Sequence, residues 1–357
     1  MSIRVIQPGI LTTVQDAGRF GYMDSGIGPG GVMDAEAYAA GNLLTGNPPD
    51  AAVLEMTLAG ITAQFTEDTV IALTGADMNA SLDGVRIPAY QRISVRKGQT
   101  LSMGSAVRGL RAYLAVAGGI DTPPVMGSRS TNLKCHFGGY EGRPLQAGDT
   151  IPVGRPADSE GVTIPCGEEN RSLRPDFPGN IQVRVVAGPQ ADAFTVGGWE
   201  TFLTTRYVVT SESDRMGMRL AGPPIESVNG VDIVSDGIVS GSVQVPKSGT
   251  PIILMTDHQT TGGYAKIATV CSFDLPKLAQ LRPGQTVSFR RISVKEAQNL
   301  YCHPELRNRT PDLKIEISAG RRAQGNNRQG RAGRRTALYT GMNRRKSWTM
   351  RMHYRKR

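Results

Sequence analysis

Long apolar runs are missing from this sequence. No window approaches the roughly 18 consecutive apolar residues that a membrane-spanning helix needs, so we expect no membrane-embedded segment. The segment 1–9 also lacks an apolar core followed by a small-residue cleavage site. These two absences predict a cytoplasmic protein without a membrane partner.

Cysteine is scarce as well, with only four in 357 residues and no Cys-x-x-Cys spacing. A chain of this length does not need disulfides for stability, so we predict free thiols. Cys135–His136 and Cys302–His303 are adjacent pairs, but neighbouring side chains on a strand point to opposite faces. The sequence therefore predicts no metal site.

Several common catalytic and carrier motifs are absent. The sequence has no G-x-x-x-x-G-K-[ST] loop, no H-E-x-x-H, no G-x-S-x-G and no biotin-carrier Met-Lys-Met segment. The glycine-rich stretch 26–31 has neither the preceding apolar strand nor the spaced acidic residue of a dinucleotide-binding fingerprint. Any nucleotide must then bind outside a P-loop.

Positive charge is concentrated at one end of the chain. The net charge is +10, yet residues 307–357 carry 16 Lys and Arg against two acidic residues, which leaves 25 against 29 in residues 1–306. The segment 318–357 has few apolar residues and no hydrophobic period, so we predict a basic, largely disordered tail. A frameshifted or lineage-specific extension explains it better than a nucleic-acid-binding arm, and we expect no nucleic-acid partner.

The remaining chain has the pattern of a mainly β protein with a few short helices. Glycine (43) and proline (22) are plentiful, and short β-branched runs alternate with turn signals. Strands are predicted at 70–73, 111–116, 182–186, 206–210 and 251–255, and helices at 33–44, 274–281 and 294–301, the last with a Ser293/Glu296 capping box. A similar turn-into-strand pattern at 96–102 and 282–288 suggests two β-barrel units, 1–154 and 180–317, joined by a linker at 155–179.

Three polar clusters stand out. In 12–22, Asp16 and Arg19 are close enough for an ion pair across a glycine-bearing turn, and the glycines at 26–31 precede a helix whose backbone amides could face an anion. In 211–220, an extended backbone would place Arg215 and Arg219 on one face, where they could clamp a carboxylate or phosphate. The alternative for that segment is a solvated charged strand.

The third cluster, 235–246 followed by 255–266, is the densest. Its Asp, His, Gln and Thr side chains close on two glycines directly after an apolar strand. This composition is typical of a small-molecule pocket. His258 by itself is more typical of a loop histidine than of a general base.

The segments that carry these clusters resemble a known family, that of the C subunit of 5-oxoprolinase, which is described as biotin-dependent carboxyltransferase-like. The resemblance extends over about residues 1 to 317 and rests on 11–19, 40–44, 54–58, 72–76, 109–121, 214–217 and 259–264. It implies two cyclophilin-like β-barrel units and partnership with the B and A subunits of 5-oxoprolinase. The basic tail departs from the family pattern, so nothing about it is transferred.

The resemblance also implies an activity. In this family 5-oxo-L-proline is opened to L-glutamate with consumption of ATP. The resemblance therefore implies that ATP binds with Mg²⁺ and that the C subunit is inactive alone. Arg215, Arg129 and Lys266 are expected to hold a carboxylate or phosphate, and Asp257 or Asp214 to position a metal or a proton. We count Asp257, Lys266 and Asp214 as catalytic. The other expected substrate- or phosphate-binding residues are Gln259, Thr260, Thr261, Gly262, Gly263, Tyr264, Asp16 and Arg19.

Two alternatives stay open. The related carboxyltransferase region of urea carboxylase suggests transfer from carboxybiotin to a urea-like substrate, the only case that would involve biotin. A regulatory module that antagonises a kinase inhibitor similar to the B subunit would need no catalysis and would use the polar clusters as an interface.

Overall fold

The computed structural model describes residues 1–156, 175–304 and 307, together with the backbone course of four further strands. The prediction of a mainly β fold with a few short helices is confirmed. The predicted linker lies largely outside the described residues, and the domain boundaries stay a prediction. We call the parts built around the two main hydrophobic cores the first and the second unit.

The first unit consists of two sheets that enclose one core. One sheet has the strand order β11-β1-β4-β9-β6-β7 and the other β2-β3-β10-β5-β8. The strands are β1 Ser2–Gln7, β2 Leu11–Gln15, β3 Val53–Thr57, β4 Thr62–Phe65, β5 Thr69–Asp77, β6 Ser81–Leu82, β7 Val85–Arg86, β8 Arg92–Val95, β9 Thr100–Ser102, β10 Arg108–Val116 and β11 Thr150–Pro152. Inward apolar side chains such as Leu54, Phe65 and Leu114 fill the space between the sheets.

The second unit is a closed barrel of seven strands in the order β13-β20-β17-β18-β15-β14-β21, with a separate two-stranded sheet of β16 and β19. Parallel pairing of β13 with β21 closes the barrel. The strands are β13 Asn180–Ala187, β14 Tyr207–Val209, β15 Gly217–Ala221, β16 Asp232–Gly237, β17 Ser242–Gln244, β18 Ile252–Leu254, β19 Thr261–Tyr264, β20 Lys266–Val270 and β21 Thr286–Arg291. All five predicted strands are thus confirmed.

Four α-helices occur in the described residues: α1 Ala35–Thr45, α2 Val196–Thr204, α3 Leu275–Ala279 and α4 Val294–Cys302. Asp34 caps α1 by accepting from the amides of Glu36 and Ala37. The predicted Ser293 cap of α4 is confirmed. Asp274 lies at the N-cap of α3 but its side chain does not cap the helix, because the carboxylate bonds Arg184 and Lys277 instead.

The remaining strands are β12 Val162–Thr163, β22 Ile315–Ala319, β23 Arg335–Asn343 and β24 Ser347–His353, which form one sheet. The other residues of the predicted disordered tail lie outside the described residues. None of the described helices is long and apolar enough to cross a membrane.

Gln280, just after α3, joins the two units. Its Oε1 accepts hydrogen bonds from the amides of Leu110 and Arg111, at 2.9 and 3.0 Å. Its Nε2 donates to Oδ2 of Asp34 at 2.7 Å and to the carbonyl of Arg111 at 3.0 Å. Both polar atoms of this buried amide are therefore hydrogen-bonded to residues of the first unit, and these bonds hold the two units in one relative position.

Candidate functional site

Arg215 lies at the centre of a buried polar network between the units and is only 5% exposed. Its Nε and Nη2 donate to the two oxygens of Asp257 at 2.8 and 3.0 Å, and Nη1 donates to Oε1 of Glu55. Nη2 also donates to the carbonyl of Gly31 at 2.5 Å. Burial alone would lower the pKa of Arg215, but Asp257 and Glu55 outweigh it and raise that pKa, so the guanidinium stays charged.

Glu55 is held by the first unit. It lies opposite Tyr113 where β3 pairs with β10, and its Oε2 accepts from the Tyr113 hydroxyl at 2.9 Å and from the amide of Met33 at 2.8 Å. The hydroxyl in turn accepts from the amide of Asp34 at 2.8 Å. Burial and the nearby Glu55 raise the pKa of Tyr113, so its hydroxyl keeps the proton that it donates. Both oxygens of Glu55 are therefore occupied.

Arg19 is buried beside this network, with 1% of its surface exposed. Its Nε donates to the carbonyl of Val125 at 3.1 Å and its Nη2 to that of Ser130 at 2.9 Å. The guanidinium carbon lies 4.6 Å from the centre of the Phe137 ring, a cation–π distance. Within the described part of the chain, Nη1 has no hydrogen-bond partner. Arg19 thus has one buried donor nitrogen without an acceptor in that part of the chain.

The glycine-rich stretch 26–31 packs between Arg19 and the loop after β18. The carbonyl of Pro29 accepts from the amide of Arg19 at 2.7 Å, and the amide of Gly30 donates to the carbonyl of Thr256 at 3.2 Å. A Cβ on Gly28 would lie 2.7 Å from the carbonyl oxygen of His258, so this close approach requires glycine. The amide of Gly30 is thus bonded within the chain, and the amides of Glu36 and Ala37 at the start of α1 are bonded to Asp34, so these three amides do not face an anion.

His258 is buried in the same loop. Its Nδ1 lies 2.6 Å from the carbonyl oxygen of Gln259. Because a carbonyl can only accept, Nδ1 carries the hydrogen and Nε2 holds a lone pair. Burial lowers the pKa of His258, which favours the neutral ring.

Asp16 shapes the loop 128–130. Its Oδ1 accepts from the hydroxyls of Ser128 and Ser130 at 2.7 and 2.6 Å, and its Oδ2 accepts from the amide of Arg129 at 2.5 Å. The predicted Asp16–Arg19 ion pair is wrong, since Arg19 bonds backbone carbonyls instead. Asp16 still supports the site, because the same loop supplies the Ser130 carbonyl that holds Arg19.

The other predicted arginines lie at the surface. The guanidinium of Arg129 bonds Asp121 at 2.7 Å, with both side chains partly exposed. Arg219 is exposed, and its Nε lies 3.8 Å from Oε2 of Glu212. Because Arg215 is buried while Arg219 faces solvent, the predicted clamp between them is wrong.

Asp214 and Lys266, both predicted to be catalytic, are also engaged elsewhere. Oδ1 of Asp214 accepts from the amides of Met216 and Gly217 and stabilises the turn before β15. Lys266 is almost completely buried on β20, and its Nζ lies 3.0 Å from Oδ2 of Asp236. Neither side chain is bonded to the Arg215 network within the described residues, so their catalytic roles stay predictions.

The segment 259–264 leads away from the network into β19, which pairs with β16. The carbonyl of Gln259 accepts from His258, and the carbonyl of Thr260 accepts from the amide of Ile238. The side chain of Tyr264 is 40% exposed. The segment also contains Thr261, Gly262 and Gly263. A Cβ on Gly262 would lie 2.7 Å from Nε2 of Gln244, so side chains of the chain itself pack closely against this glycine.

Sequence reasoning missed Glu55 and Tyr113. A signal for Glu55 was present, because it is the one charged residue inside the apolar β3 segment. An ionisable side chain in such a position needs a buried partner. Among the described residues, no three His, Cys, Asp or Glu side chains converge as metal ligands would.

The chain matches the model of the carboxyltransferase domain, subdomain A and B, over residues 25–291. It is 40% identical to the C subunit of 5-oxoprolinase from Escherichia coli over 295 residues, covering 83% of this chain and 93% of that protein. It is 33% identical to urea amidolyase of Saccharomyces cerevisiae over 314 residues, covering 84% of this chain but 17% of that protein. The solved K. lactis urea amidolyase matches with a TM-score of 0.79 and 29% identity, over 95% of this chain and 22% of that one. The chain therefore belongs to the family of the 5-oxoprolinase C subunit, which contains the carboxyltransferase domain with subdomains A and B.

Proposed function

We propose that this chain is the C subunit of an ATP-dependent 5-oxoprolinase, inactive alone and active with the A and B subunits in the cytoplasm. The proposal is supported by 40% identity to a protein of that name over nearly the whole of its length. The observation that carries it is the buried junction where Arg215 fixes Asp257 while Arg19 keeps a free donor beside it. Such preorganised polar groups suit a small polar substrate.

The proposed chemistry overcomes the low reactivity of the lactam. Its oxygen attacks the γ-phosphorus of ATP and ADP leaves, so the oxygen becomes part of a phosphate leaving group. Water then attacks the activated carbon, and the ring C–N bond opens as the nitrogen takes up a proton, which leaves an acyl phosphate of glutamate. A second water hydrolyses this acyl phosphate to glutamate and phosphate. We assign the activation step to the B and C subunits together and the hydrolysis to the A subunit.

In this scheme, the chain binds and orients the lactam. The donors of Arg215 are already bonded to Asp257, Glu55 and Gly31, so a phosphate could bind Arg215 only by displacing one of them. Arg19 is the better candidate for direct contact. The described residues provide no carboxylate cluster for Mg²⁺, so the proposal assigns no metal ligand to this chain.

The test is glutamate release from 5-oxoproline and ATP by this chain with purified A and B subunits, with each component omitted in turn. We expect release only from the complete mixture. Absence of release despite stable binding of this chain to the B subunit would contradict the proposal. That outcome would favour the regulatory role as an antagonist of a protein similar to the B subunit.

A second candidate is a carboxyltransferase that moves carboxylate from carboxybiotin to a urea-like substrate. The similarity to urea amidolyases favours it, although the chain spans only 17% and 22% of the two proteins compared. It predicts urea-dependent loss of carboxylate from a carboxybiotin carrier when this chain is added. The 5-oxoprolinase proposal predicts no such loss.

A further inference from the structure

One donor of Arg19 lacks an acceptor although the side chain is buried. Nε and Nη2 are bonded to carbonyl oxygens, whereas Nη1 has no partner in the described part of the chain. A buried N–H of a charged group without an acceptor is costly and is rarely left unsatisfied. Nη1 therefore marks the position of a water or a ligand atom.

Gly30 leaves an atom-sized space next to this donor. A Cβ on Gly30 would lie 3.6 Å from Oδ1 of Asp257 and 4.0 Å from Nη1 of Arg19, so both atoms border the same space. Oδ1 of Asp257 accepts one bond from Arg215 and has a further lone pair. The Asp257 side chain is 13% exposed, whereas Nη1 of Arg19 is buried.

The charges around the space favour a neutral ligand group. A carboxylate or phosphate oxygen placed there would be repelled by Asp257. A group that both accepts from Arg19 and donates to Asp257 satisfies both side chains and adds no buried charge. A lactam has this property, because its ring holds the C=O and N–H on the same side of the C–N bond. A trans amide points them in opposite directions.

We propose that Arg19 and Asp257 bind one edge of a small cis-amide, with Nη1 of Arg19 donating to the carbonyl oxygen and Oδ1 of Asp257 accepting from the N–H. Urea presents the same pair of groups, so the shared chemistry is the amide edge. The identity of the ligand as the lactam rests on the proposed function. The new part of the proposal is that Arg19 and Asp257 recognise it.

Two glycine variants form a matched test. Gly30→Ala places a methyl group in the space, whereas Gly26→Ala meets nothing within 4 Å. Both glycines have positive φ, +59° and +79°, so the two variants bear a similar backbone strain. Calorimetric titration of the full chain with 5-oxoproline, alone and with the B subunit of 5-oxoprolinase, measures binding.

We expect Gly26→Ala to bind 5-oxoproline like the unaltered chain and Gly30→Ala to bind it roughly 10- to 100-fold more weakly, the usual effect of losing hydrogen bonds to charged groups. Equal binding by the two variants would overturn the assignment and leave the space to a structural water. Absence of binding by the unaltered chain, with and without the B subunit, would overturn it as well.

Two further ligands examine the amide edge. The lactone analogue, with a ring oxygen in place of N–H, should bind at least about tenfold more weakly, because it cannot donate to Asp257. Equal binding of the lactone would contradict N–H recognition. Displacement of 5-oxoproline by millimolar urea would identify the amide edge alone as the ligand, and binding that resists urea would identify the lactam.

The binding and activity measurements can fail independently. If Gly30→Ala abolishes 5-oxoproline binding but the complete mixture releases no glutamate, the amide site stands and the proposed reaction falls. If the complete mixture releases glutamate equally well with Gly30→Ala, the reaction stands and the amide site falls.

Discussion

Nη1 of Arg215 donates a hydrogen bond to Oε1 of Glu55, although the two residues are 160 positions apart in the chain. Glu55 belongs to β3 of the first unit, and Arg215 lies two residues before the start of β15 of the second. Since the same guanidinium bonds both oxygens of Asp257, a residue of the first unit helps to orient that carboxylate. The geometry at Asp257 therefore depends on assembly of the junction.

Replacing Arg215 tests how strongly this network stabilises the protein. Arg215→Met leaves Glu55 and Asp257 without their cation, and removal of one partner of a buried ion pair typically costs about 3–5 kcal/mol. We expect a decrease of that size in the free energy of unfolding, measured with guanidinium chloride.

The control is Arg219→Met. Arg219 is exposed, and its ion pair with the exposed Glu212 is long, with 3.8 Å between Nε and Oε2. It should change the free energy of unfolding by less than about 1 kcal/mol. Similar small losses in both variants would show that the buried network adds no net stability.

Removing the Gln280 amide should loosen the junction. Gln280→Ala deprives the buried amides of Leu110 and Arg111 of their acceptor. An unsatisfied buried group costs about 1–3 kcal/mol, so we expect a loss of at least about 2 kcal/mol and faster hydrogen exchange at both amides. Gln64→Ala, which removes an exposed bond to Gly98, should leave these exchange rates unchanged. Unchanged exchange in Gln280→Ala would contradict its role.

The fold was largely predictable where local signals agree. Runs of β-branched residues identified the five predicted strands, and the Ser293 cap identified α4. Helix α2, Val196–Thr204, was missed because Gly197 and Gly198 have low helix propensity. Packing stabilises it instead, since the ring of Phe202 stacks on Phe289 at 4.3 Å.

The site was predictable only in part. Arg215, Asp257 and Arg19 were identified as polar residues in clusters, but their partners were not. The bonds of Arg215 to Glu55 and of Asp16 to the loop 128–130 join residues more than 100 positions apart. Such contacts depend on strand register and on the docking of the units, which single-sequence patterns do not determine.

Asp34 should make stability fall as the pH rises from about 4 to about 6. Burial raises its pKa from 3.8 to about 6, so the native protein still holds the proton over a range where the unfolded chain has released it. The native state is therefore favoured at the acid end of this range, by on the order of 3 kcal/mol. Asp34→Asn keeps a capping side chain and should remove this slope in unfolding measured at several pH values. An unaltered slope would contradict the assignment.

His258 should contribute a slope of the opposite sign. Burial lowers its pKa below the usual 6.5, so as the pH falls below that value the unfolded chain takes up a proton before the native protein does. Stability contributed by the neutral ring is thus lost toward acid pH. His258→Asn can still donate to the Gln259 carbonyl but cannot titrate, so its free energy of unfolding should fall less below pH 6.5.

The two slopes overlap and partly cancel in the unaltered chain, so a flat pH profile there would test neither residue. Comparison with the single variants separates them, because Asp34→Asn should expose the acid-side loss that comes from His258. ¹⁵N NMR of the imidazole provides an independent measurement and should show a neutral ring with the hydrogen on Nδ1 at neutral pH. Detection of the Nε2–H form would contradict the bond from Nδ1 to the Gln259 carbonyl and the lone pair assigned to Nε2.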